Sequence, residues 1–327
     1  MKHFPKYYKY TCIVYNVYAL MQYLLYASDE QLKKTFFYLV HPGSFDADMV
    51  KRLGAAKWVY YVSDESMWKQ RLGILFKYRW RIRRTTIYAQ DCHWMASWLI
   101  GNSKYIYLED SPKCISLVRP EVDFIKFPPR TKLGIPMVWK YGTVFGHPAG
   151  TNQQCINRLL TQDIDIQSQY VRGKAYEKVD HLELWNKASD WKKSYILKVY
   201  DINNEVLSRL EKFQIWFLSS PLKEDANMTD EEIVQLYTPY FAEYQKQGLV
   251  IKPHPRDKFD YEKYFPQALV LKSRAPMQLL SEMLKIKVKQ AVTICSSAVS
   301  SFDENETQVI RLGAKIHPKI MAAYGDR

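Results

Sequence analysis

The sequence predicts an α/β protein made of two Rossmann-like domains that face a central cleft, and three observations support this. A chain of 327 residues is long enough for two separate cores. Short apolar runs alternate with helix-like stretches in the first half and again after residue 212, as in doubly wound parallel sheets. A polar helical stretch at about 171–208 separates the two alternations. We therefore place the domains at 1–205 and 206–327.

The predicted N-terminal domain begins with TCIVYNVYALMQYLLYAS, residues 11–28, which indicates a strand followed by a largely buried helix. The segment 91–100 also has helical spacing. Four further strands are predicted at 35–40, 58–62, 86–89 and 105–108. Together these elements predict the first parallel sheet.

Helix 230–247 is the most clearly marked element of the C-terminal domain. Thr229 and Glu232 have the spacing of a capping box at its start, and Gly248 follows its end. Its apolar residues recur on one face, which predicts packing against a sheet. The other predicted elements are strands at 213–218, 249–252, 268–272 and 291–295 and a helix at 276–285.

The composition indicates a folded protein that works inside the cell on an anionic partner. Apolar residues make up 47% of the chain, and its formal net charge is +13. Five cysteines without a CxxC spacing predict reduced thiols, and no apolar run approaches the roughly 20 residues of a membrane span. The start of the chain lacks a clear secretory signal. We predict a cytoplasmic protein, either free or peripheral on the inner face of the bacterial cytoplasmic membrane.

The basic run KYRWRIRRTT, residues 77–86, is the strongest local cluster of cations. It is either a solvated helix face or a patch for an anionic lipid or acceptor. The other cations are dispersed and no nucleic-acid-binding module is recognisable, so we predict no nucleic-acid partner. A homodimer is left open.

Polar side chains follow three of the predicted strands directly. Glu109 and Asp110 follow YIYL, His254 follows LVIKP, and Ser296 and Ser297 follow AVTIC. Ligands of open α/β sheets bind beyond the carboxyl ends of the strands. These positions are therefore the candidate functional residues.

The serine pair in TICSSAVSS ends a strand and opens a predicted helix, where hydroxyls and free N–H groups can hold one phosphate. An ordinary serine helix cap is the alternative. The chain has no GxxxxGK[ST] motif, which excludes a P-loop for a triphosphate.

His254 lies between Pro253 and Pro255, which restrict the backbone on both sides. Its imidazole can protonate a leaving group near neutral pH, and Lys252 or Arg256 can neutralise a phosphate. A hydrogen-bonded structural histidine is the alternative.

Three carboxylates are candidates for the general base. Glu109 and Asp110 are adjacent, so their side chains face opposite ways in a strand and one of them can enter the cleft. Asp230, at the start of helix 230–247, is the third, with a favourable charge at a helix N-terminus as the alternative. The sequence does not decide among them.

Two Asp-x-Asp triplets, Asp46-Ala-Asp48 and Asp163-Ile-Asp165, match the pattern of metal-dependent sugar transferases. Neither clearly ends a strand, and such triplets are common by chance. We therefore predict no metal site, no metal requirement and no cofactor.

These residues together resemble the motifs of bacterial CMP-sialic acid-dependent sialyltransferases, and most of all glycosyltransferase family 52. YAQDCHWMASWLIGNSKYIYLEDS resembles the family's segment leading into its acidic motif, WFLSSPL its strand–loop opening the second domain, and IKPHPRD its His-Pro motif. The likeness extends over most of the chain. It implies a two-domain GT-B fold and metal-independent, inverting transfer of a nonulosonic acid from a CMP donor.

The resemblance also implies roles for single residues. His254 would assist the departure of CMP, Ser296 and Ser297 would bind its phosphate, and Glu109 or Asp110 would take the proton of the acceptor. The other candidates for donor binding are Lys252, Pro255, Arg256, Ser219, Ser220 and Gln278.

Two positions depart from the family's pattern. Ser111 follows the acidic pair where the family has glycine, whose backbone freedom serine lacks. Gln278 stands where the family often has glutamate, and its amide can hydrogen-bond a ribose or base but carries no charge. Both departures concern which sugar is moved rather than the class of reaction.

The sequence therefore predicts a metal-independent inverting glycosyltransferase. It would move sialic acid or a related nonulosonic acid from a CMP-sugar, bound by residues 206–327, to a glycan acceptor on the side of residues 1–205. The acceptor is free or lipid-linked, in bacterial surface polysaccharide or lipooligosaccharide synthesis. A GT-B transferase that uses a UDP- or GDP-sugar is the alternative, and a non-enzymatic nucleic-acid-binding protein is a remote one.

Overall fold

The chain forms two compact units, Met1–Val199 and Tyr200–Arg327, which we call the first and the second unit. The division lies six residues before the boundary that the sequence suggested. The computed structural model describes residues 8–40, 44–58, 73, 78–91, 96, 99–110, 154–161 and 175–325. Each unit is described below by itself.

The first unit contains a seven-stranded sheet in the order β3-β2-β1-β4-β5-β6-β7, in which every pair of neighbours is parallel. Apart from the edge strands β3 and β7, the strands are largely buried on both faces, as in α/β sheets covered by helices. They are β1 (Tyr10–Val14), β2 (Thr35–Leu39), β3 (Ala56–Trp58), β4 (Thr86–Ala89), β5 (Tyr105–Leu108), β6 (Cys155–Leu160) and β7 (Glu177–Lys178). The predicted strand 58–62 overlaps β3 at Trp58 alone, and residues 59–62 lie outside the described residues.

Helix α1 (Val17–Tyr26) is the central helix of the first unit, and every residue in it except Tyr26 is buried. Asn16 caps it, because its Oδ1 accepts a hydrogen bond of 2.9 Å from the Ala19 N–H. The other helices with both ends in the described residues are α2 (Asp29–Lys33), α3 (Ala47–Leu53), α4 (Trp80–Ile82), α5 (His181–Lys187) and α6 (Asp190–Val199). The cap places the beginning of α1 next to the carboxyl end of β1.

Helix α4 lies within the basic run predicted at 77–86, of which residue 77 is outside the described residues. Ile82 is buried, whereas Trp80, Arg83 and Arg84 are exposed. The guanidinium of Arg84 lies 4.5 Å from the centre of the Trp80 ring. No helix in the described part of the chain is long and apolar enough to span a bilayer.

The second unit contains a five-stranded parallel sheet in the order β10-β9-β8-β11-β12. Its strands are β8 (Ile215–Leu218), β9 (Leu249–Lys252), β10 (Leu269–Val270), β11 (Gln290–Thr293) and β12 (Gln308–Arg311). Strand β12 was not predicted, because this edge strand is only partly buried and lacks a clear apolar run. Strand β8 is the centre of the sheet and is buried throughout.

Helix α9 (Asp230–Tyr244) has the predicted capping box. The Thr229 hydroxyl accepts a hydrogen bond of 3.2 Å from the Glu232 N–H, and the Glu232 carboxylate accepts one of 2.8 Å from the Thr229 N–H. Its rings pack on β8: Tyr237 and Phe241 lie 4.9 and 4.8 Å from the ring of Phe217. The other α-helices are α7 (Asn204–Leu210), α8 (Leu222–Ala226), α10 (Tyr261–Tyr264) and α11 (Pro318–Tyr324).

Two predicted helices of the second unit are shorter than expected. The helix predicted at 276–285 is centred on a π-helical turn, Leu279–Met283. The helix expected after β11 is a single 3-10 segment, Ser297–Ser301. Its serines compete for the backbone's hydrogen bonds, which disfavours a regular α-helix there.

His181 should make the stability of the first unit depend on pH. Its Nε2 is buried without a hydrogen-bond partner among the described residues, its ring lies edge-on to Tyr18 at 5.5 Å, and burial lowers its pKa from 6.5 to about 4. Below pH 6.5 the unfolded chain takes up a proton that the folded chain refuses until about pH 4. Stability is therefore lost as the pH falls through this window, by up to about 3 kcal/mol.

The substitution His181→Phe keeps the ring contact and removes the titration. We expect the difference in thermal midpoint between pH 7.5 and pH 4.5 to be clearly smaller in this variant than in the wild type. An equal difference would show that His181 is not a source of the acid sensitivity.

Candidate active site

The carboxyl ends of β9, β8 and β11 meet at one edge of the second sheet. Leu218, the last residue of β8, pairs with Lys252 on one side and with Thr293 on the other. The residues that follow these strands therefore lie side by side. The structure thus brings together the predicted residues His254, Ser219–Ser220 and Ser296–Ser297 at this edge.

His254 is held in one orientation and one tautomer. Its backbone N–H donates a hydrogen bond of 2.9 Å to the Ser219 hydroxyl, and its ring Nδ1 accepts one of 3.2 Å from the Arg256 N–H. The proton of the neutral ring is therefore on Nε2. Burial, with Arg256 and Lys252 nearby, lowers the pKa of His254 to about 4. At neutral pH the free protein thus offers an Nε2–H donor rather than a full positive charge.

The cations beside His254 are largely engaged within the protein. Arg256 forms a bidentate ion pair with Asp225, at 2.8 and 3.0 Å, and Tyr324 donates a third bond to that carboxylate. Lys252 is buried, donates a hydrogen bond of 3.3 Å to the Ser273 carbonyl, and has a pKa lowered by burial to about 8. Lys252 and Arg256 therefore set the local electrostatic potential, and Arg256 also fastens the loop to α8.

Two other candidates for donor binding differ in how far they are engaged. The carbonyl of Pro255 accepts a hydrogen bond of 2.8 Å from Arg274. The side chain of Gln278 is half-buried and makes no hydrogen bond within the described residues. Gln278 therefore keeps its full capacity for a ligand.

The serines after β11 present hydroxyls rather than a helix N-terminus. Thr293 accepts the backbone N–H of Ser296 at 3.0 Å, and the Ser296 hydroxyl accepts a long bond of 3.4 Å from the Ala298 N–H. Ser297 is exposed, and its hydroxyl makes no bond with any other described residue. Because only a short 3-10 segment follows, the ligand-binding capacity here lies in the hydroxyl groups.

Ser220 has a buried hydroxyl that makes no hydrogen bond with any other described residue. The residue is 3% exposed and directly follows Ser219 at the end of the central strand β8. A buried hydroxyl that makes no hydrogen bond costs about 1–3 kcal/mol. Such a cost is expected at a position where a ligand supplies the missing acceptor.

Glu109 and Asp110 directly follow β5 in the first sheet, and the structure gives them different surroundings. Glu109 is 1% exposed, and its carboxylate accepts bonds from the Thr161 N–H and hydroxyl at 3.1 and 2.7 Å and from Tyr18 at 3.4 Å. Burial raises its pKa. Glu109 thus ties β5 to the residue after β6, and almost none of its surface is accessible to solvent.

Asp110 is half-buried, and one of its two oxygens is open. Its Oδ1 accepts hydrogen bonds from the Tyr15 hydroxyl, from Asn16 Nδ2 at 2.6 Å and from Gln90 Nε2 at 3.1 Å. Its Oδ2 makes no bond with any other described residue. Burial raises the pKa of Asp110 against the opposing effect of these donors. This geometry leaves Oδ2 able to accept a proton.

The donors around Asp110 were not predicted from the sequence. Tyr15 and Asn16 follow β1, and Gln90 follows β4, so each lies immediately after a strand that is near β5 in the sheet. The signal that marks Asp110 itself, a polar residue directly after a buried strand, marks these residues too. Their convergence depends on the strand order.

Asp230 is the first residue of α9 and lies in the second unit. Lys223 bonds its Oδ1 at 2.6 Å, and Tyr264 approaches its Oδ2 at 3.4 Å. The bond from Lys223 is the main cause that lowers the pKa of Asp230. These contacts, together with its place at a helix N-terminus, make it a weaker base than a carboxylate with a raised pKa.

The Asp-x-Asp triplet at 46–48 has local roles. Asp46 caps α3 by accepting the Met49 N–H at 2.6 Å, and Asp48 pairs with Lys51 at 2.7 Å. Within the described residues no three His, Cys, Asp or Glu side chains cluster as metal ligands. Asp163, Asp165 and Ser111 lie outside those residues.

The sequence model of glycosyltransferase family 52 matches residues 116–319, which is more than half of the chain. The chain belongs to glycosyltransferase family 52. This membership confirms the family that the strand-end motifs indicated and the predicted enzyme class. A segment of 150 residues, 46% of this family 52 chain, is 32% identical to an uncharacterized protein of Haemophilus influenzae and covers 48% of it. The chain thus matches about half the length of that relative.

Solved structures with similar folds include two bacterial sialyltransferases. A 2,6-sialyltransferase of Photobacterium sp. JT-ISH-224, in a complex with CMP and lactose, has a TM-score of 0.62 at 10% identity, over 92% of this chain and 71% of that one. The GT-B domain of a sialyltransferase from Photobacterium damselae has a TM-score of 0.51 at 11% identity, over 92% and 90%.

A UDP-GlcNAc 2-epimerase of Neisseria meningitidis is also similar, with a TM-score of 0.52 at 10% identity over 96% of this chain and 85% of that one. At these identities the likeness shows the fold alone. It confirms the predicted GT-B-type α/β fold class, which two kinds of nucleotide-sugar enzyme share.

The substitution Ser220→Ala should separate a ligand-binding role from a structural one. It removes a buried hydroxyl that has no protein partner, so we expect the thermal midpoint to stay unchanged or to rise slightly. If the hydroxyl binds the ligand, the affinity for CMP should fall about 3- to 10-fold, as for the loss of one hydrogen bond. Isothermal titration with CMP measures this.

The control is Ser208→Ala, at an exposed serine of α7 that bonds only the Glu205 carbonyl. It should leave the affinity for CMP unchanged. A lower thermal midpoint together with an unchanged affinity in Ser220→Ala would contradict the ligand-binding role.

Proposed function

We propose that this family 52 chain transfers sialic acid or a related nonulosonic acid from a CMP-sugar to a glycan acceptor, with inversion and without a metal ion. The observation that carries the proposal is the meeting of His254, Ser220 and Ser297 at the carboxyl edge of β9, β8 and β11. An N–H donor and two hydroxyl donors at one sheet edge suit a donor with a single phosphate. The CMP in the Photobacterium sialyltransferase complex supports the same choice of nucleotide.

The proposed reaction is a single displacement at the anomeric carbon of the sugar. The bond from this carbon to the phosphate oxygen breaks, and its electron pair leaves with CMP. The acceptor hydroxyl forms the new bond on the opposite side and gives its proton to a carboxylate. A hydrogen bond from His254 Nε2–H stabilises the charge that develops on the phosphate.

His254 can also become the acid that protonates the leaving phosphate. Its pKa is about 4 in the free protein because burial and the neighbouring cations disfavour a further positive charge. A phosphate placed against Nε2 adds negative charge and raises that pKa. Binding of the donor thus prepares the imidazole for proton transfer.

Asp110 is the proposed general base. Its Oδ1 is held by three donors, its Oδ2 is open, and its pKa is raised by burial, which together favour a fixed carboxylate that accepts a proton. Asp230 is the second candidate because it lies in the same unit as His254. Its ion pair with Lys223 and its lowered pKa count against it.

The net positive charge of the chain supports a proposal for the acceptor and for the location of the protein. The chain carries a net charge of +13, and Trp80 lies exposed among arginines on α4. Cationic and aromatic side chains suit a headgroup layer with anionic lipids. We therefore propose a lipid-linked glycan as acceptor and a peripheral position on the cytoplasmic membrane.

A GT-B transferase that uses a UDP- or GDP-sugar is the second candidate, favoured by the shared fold of the UDP-GlcNAc 2-epimerase. Thermal-shift measurements with CMP, UDP and GDP separate the two. Stabilisation by CMP alone supports the proposal, and stabilisation by UDP or GDP alone supports the second candidate.

Purified protein should release CMP from CMP-Neu5Ac in the presence of a galactoside acceptor, with and without EDTA. The substitution His254→Ala should lower kcat about 10²- to 10⁴-fold. His254→Gln, which keeps an N–H donor, should lose less activity than His254→Ala. A panel of CMP-sugars that yields no CMP would refute the proposed donor, and loss of activity in EDTA would refute metal independence.

The base is tested by three conservative variants. We expect Asp110→Asn to lower kcat about 10²- to 10⁴-fold with little change in CMP affinity, because the carboxylate acts on the acceptor. Glu109→Gln should lower kcat less than 10-fold, roughly the effect of weakened bonds to Thr161. If Asp230→Asn abolishes turnover while Asp110→Asn does not, the base is Asp230.

A further inference from the structure

The loop that carries His254 closes on an aspartate that the proposed reaction does not use. The Asp257 N–H donates a hydrogen bond of 2.8 Å to the His254 carbonyl, which folds residues 254–257 into a turn. The Asp257 carboxylate accepts bonds from the Ser219 hydroxyl at 2.5 Å, the Tyr261 hydroxyl at 2.8 Å and the Phe259 N–H at 3.1 Å. The turn is thereby fixed to the end of β8 and to α10.

Ser219 connects Asp257 to His254. Its N–H donates to the Lys252 carbonyl at 3.1 Å, and its hydroxyl accepts the His254 N–H at 2.9 Å. Pro253, between them, has no N–H, so the hydroxyl of Ser219 continues the β8–β9 hydrogen bonding beyond the proline. The single hydroxyl proton goes to Asp257, which leaves Ser219 no proton for a phosphate.

We propose that Asp257 and Ser219 are positioning residues that hold the His254 backbone and direct its ring, and that Ser219 does not bind the donor. The carboxylate fixes the direction of the Ser219 hydroxyl, so the oxygen lone pair of Ser219 faces the His254 N–H. The Arg256 N–H then holds Nδ1 from the other side. Nε2 is left as the donating nitrogen.

Burying the Asp257 carboxylate costs desolvation free energy, which a turn with a purely structural role could avoid. Burial raises the pKa of Asp257 because the carboxylate loses contact with water, and three donors offset that loss. An apolar side chain would close the same turn without the desolvation. The contacts therefore indicate that the loop has to hold His254 in a fixed orientation.

The relevance to catalysis rests on the proposed function, but the orientation itself can be measured without a substrate. In ligand-free protein, long-range ¹H–¹⁵N spectra of the imidazole report the tautomer and the pKa of His254. The charged groups that face the ring are Arg256, Lys252 and Asp225. A loosened loop admits water and moves the pKa toward 6.5.

The deciding variant is Ser219→Ala, which removes one hydroxyl and leaves Asp257 its bonds from Tyr261 and Phe259. We expect the pKa of His254 to rise by at least about one unit and a mixture of tautomers to appear. With CMP-Neu5Ac, kcat should fall about 10- to 100-fold while the affinity for CMP changes less than about threefold. Asp257→Asn should also raise the pKa of His254 and lower kcat.

The matched control is Asp260→Asn, at an exposed aspartate that caps α10 by accepting the Lys263 N–H at 3.1 Å. It should leave the His254 spectra and kcat unchanged. A folded Ser219→Ala protein with the wild-type pKa and tautomer would overturn the proposal, even if Asp257→Asn fails to fold. Unchanged spectra with weaker CMP binding would instead return Ser219 to donor binding, and absence of turnover in the wild type would refute only the proposed function.

Discussion

The parallel pairing of β8 with both β9 and β11 is the constraint on which the candidate site depends. Leu218 pairs with Lys252 and with Thr293, so three strands end in register and three loops leave from the same edge. Parallel strands are buried on both faces, and the apolar core of α9 and β8 fixes that register. A shift of β9 by one residue would move His254 away from Ser219 and turn Lys252 to the other face.

The two prolines around His254 limit the hydrogen bonds that its loop can make. Because Pro253 and Pro255 carry no N–H, the loop has only the N–H groups of His254, Arg256 and Asp257 to satisfy. All three have partners, namely the Ser219 hydroxyl, the His254 ring and the His254 carbonyl. The loop therefore uses the ring of His254 as one acceptor, which couples the backbone turn to the orientation of the ring.

The sequence was sufficient for features that depend on local pattern and insufficient for those that depend on strand order. The apolar runs predicted β4, β5 and β9 at their observed bounds, and the capping box predicted the start of α9. The donors on Asp110 lie 95 positions away along the chain at Tyr15 and 20 positions away at Gln90, so no short spacing reveals them. Likewise the sequence predicts Arg256 as a phosphate ligand but does not reveal its ion pair with Asp225 on α8.

The cationic side chains at the edge of β9 together favour the binding of an anion. Burial lowers the pKa of both His254 and Lys252. The positive charges of Arg256 and Lys252 lower the pKa of His254 further, and the charge of Arg274 lowers that of Lys252. Asp225 is the carboxylate that opposes this effect at His254, and it is already shared by Arg256 and Tyr324. A phosphate at this edge would raise both pKa values, so its binding is linked to proton uptake. The affinity of the edge for a phosphate should thus increase as the pH falls from about 8, because protonated Lys252 and His254 are the forms that the anion stabilises.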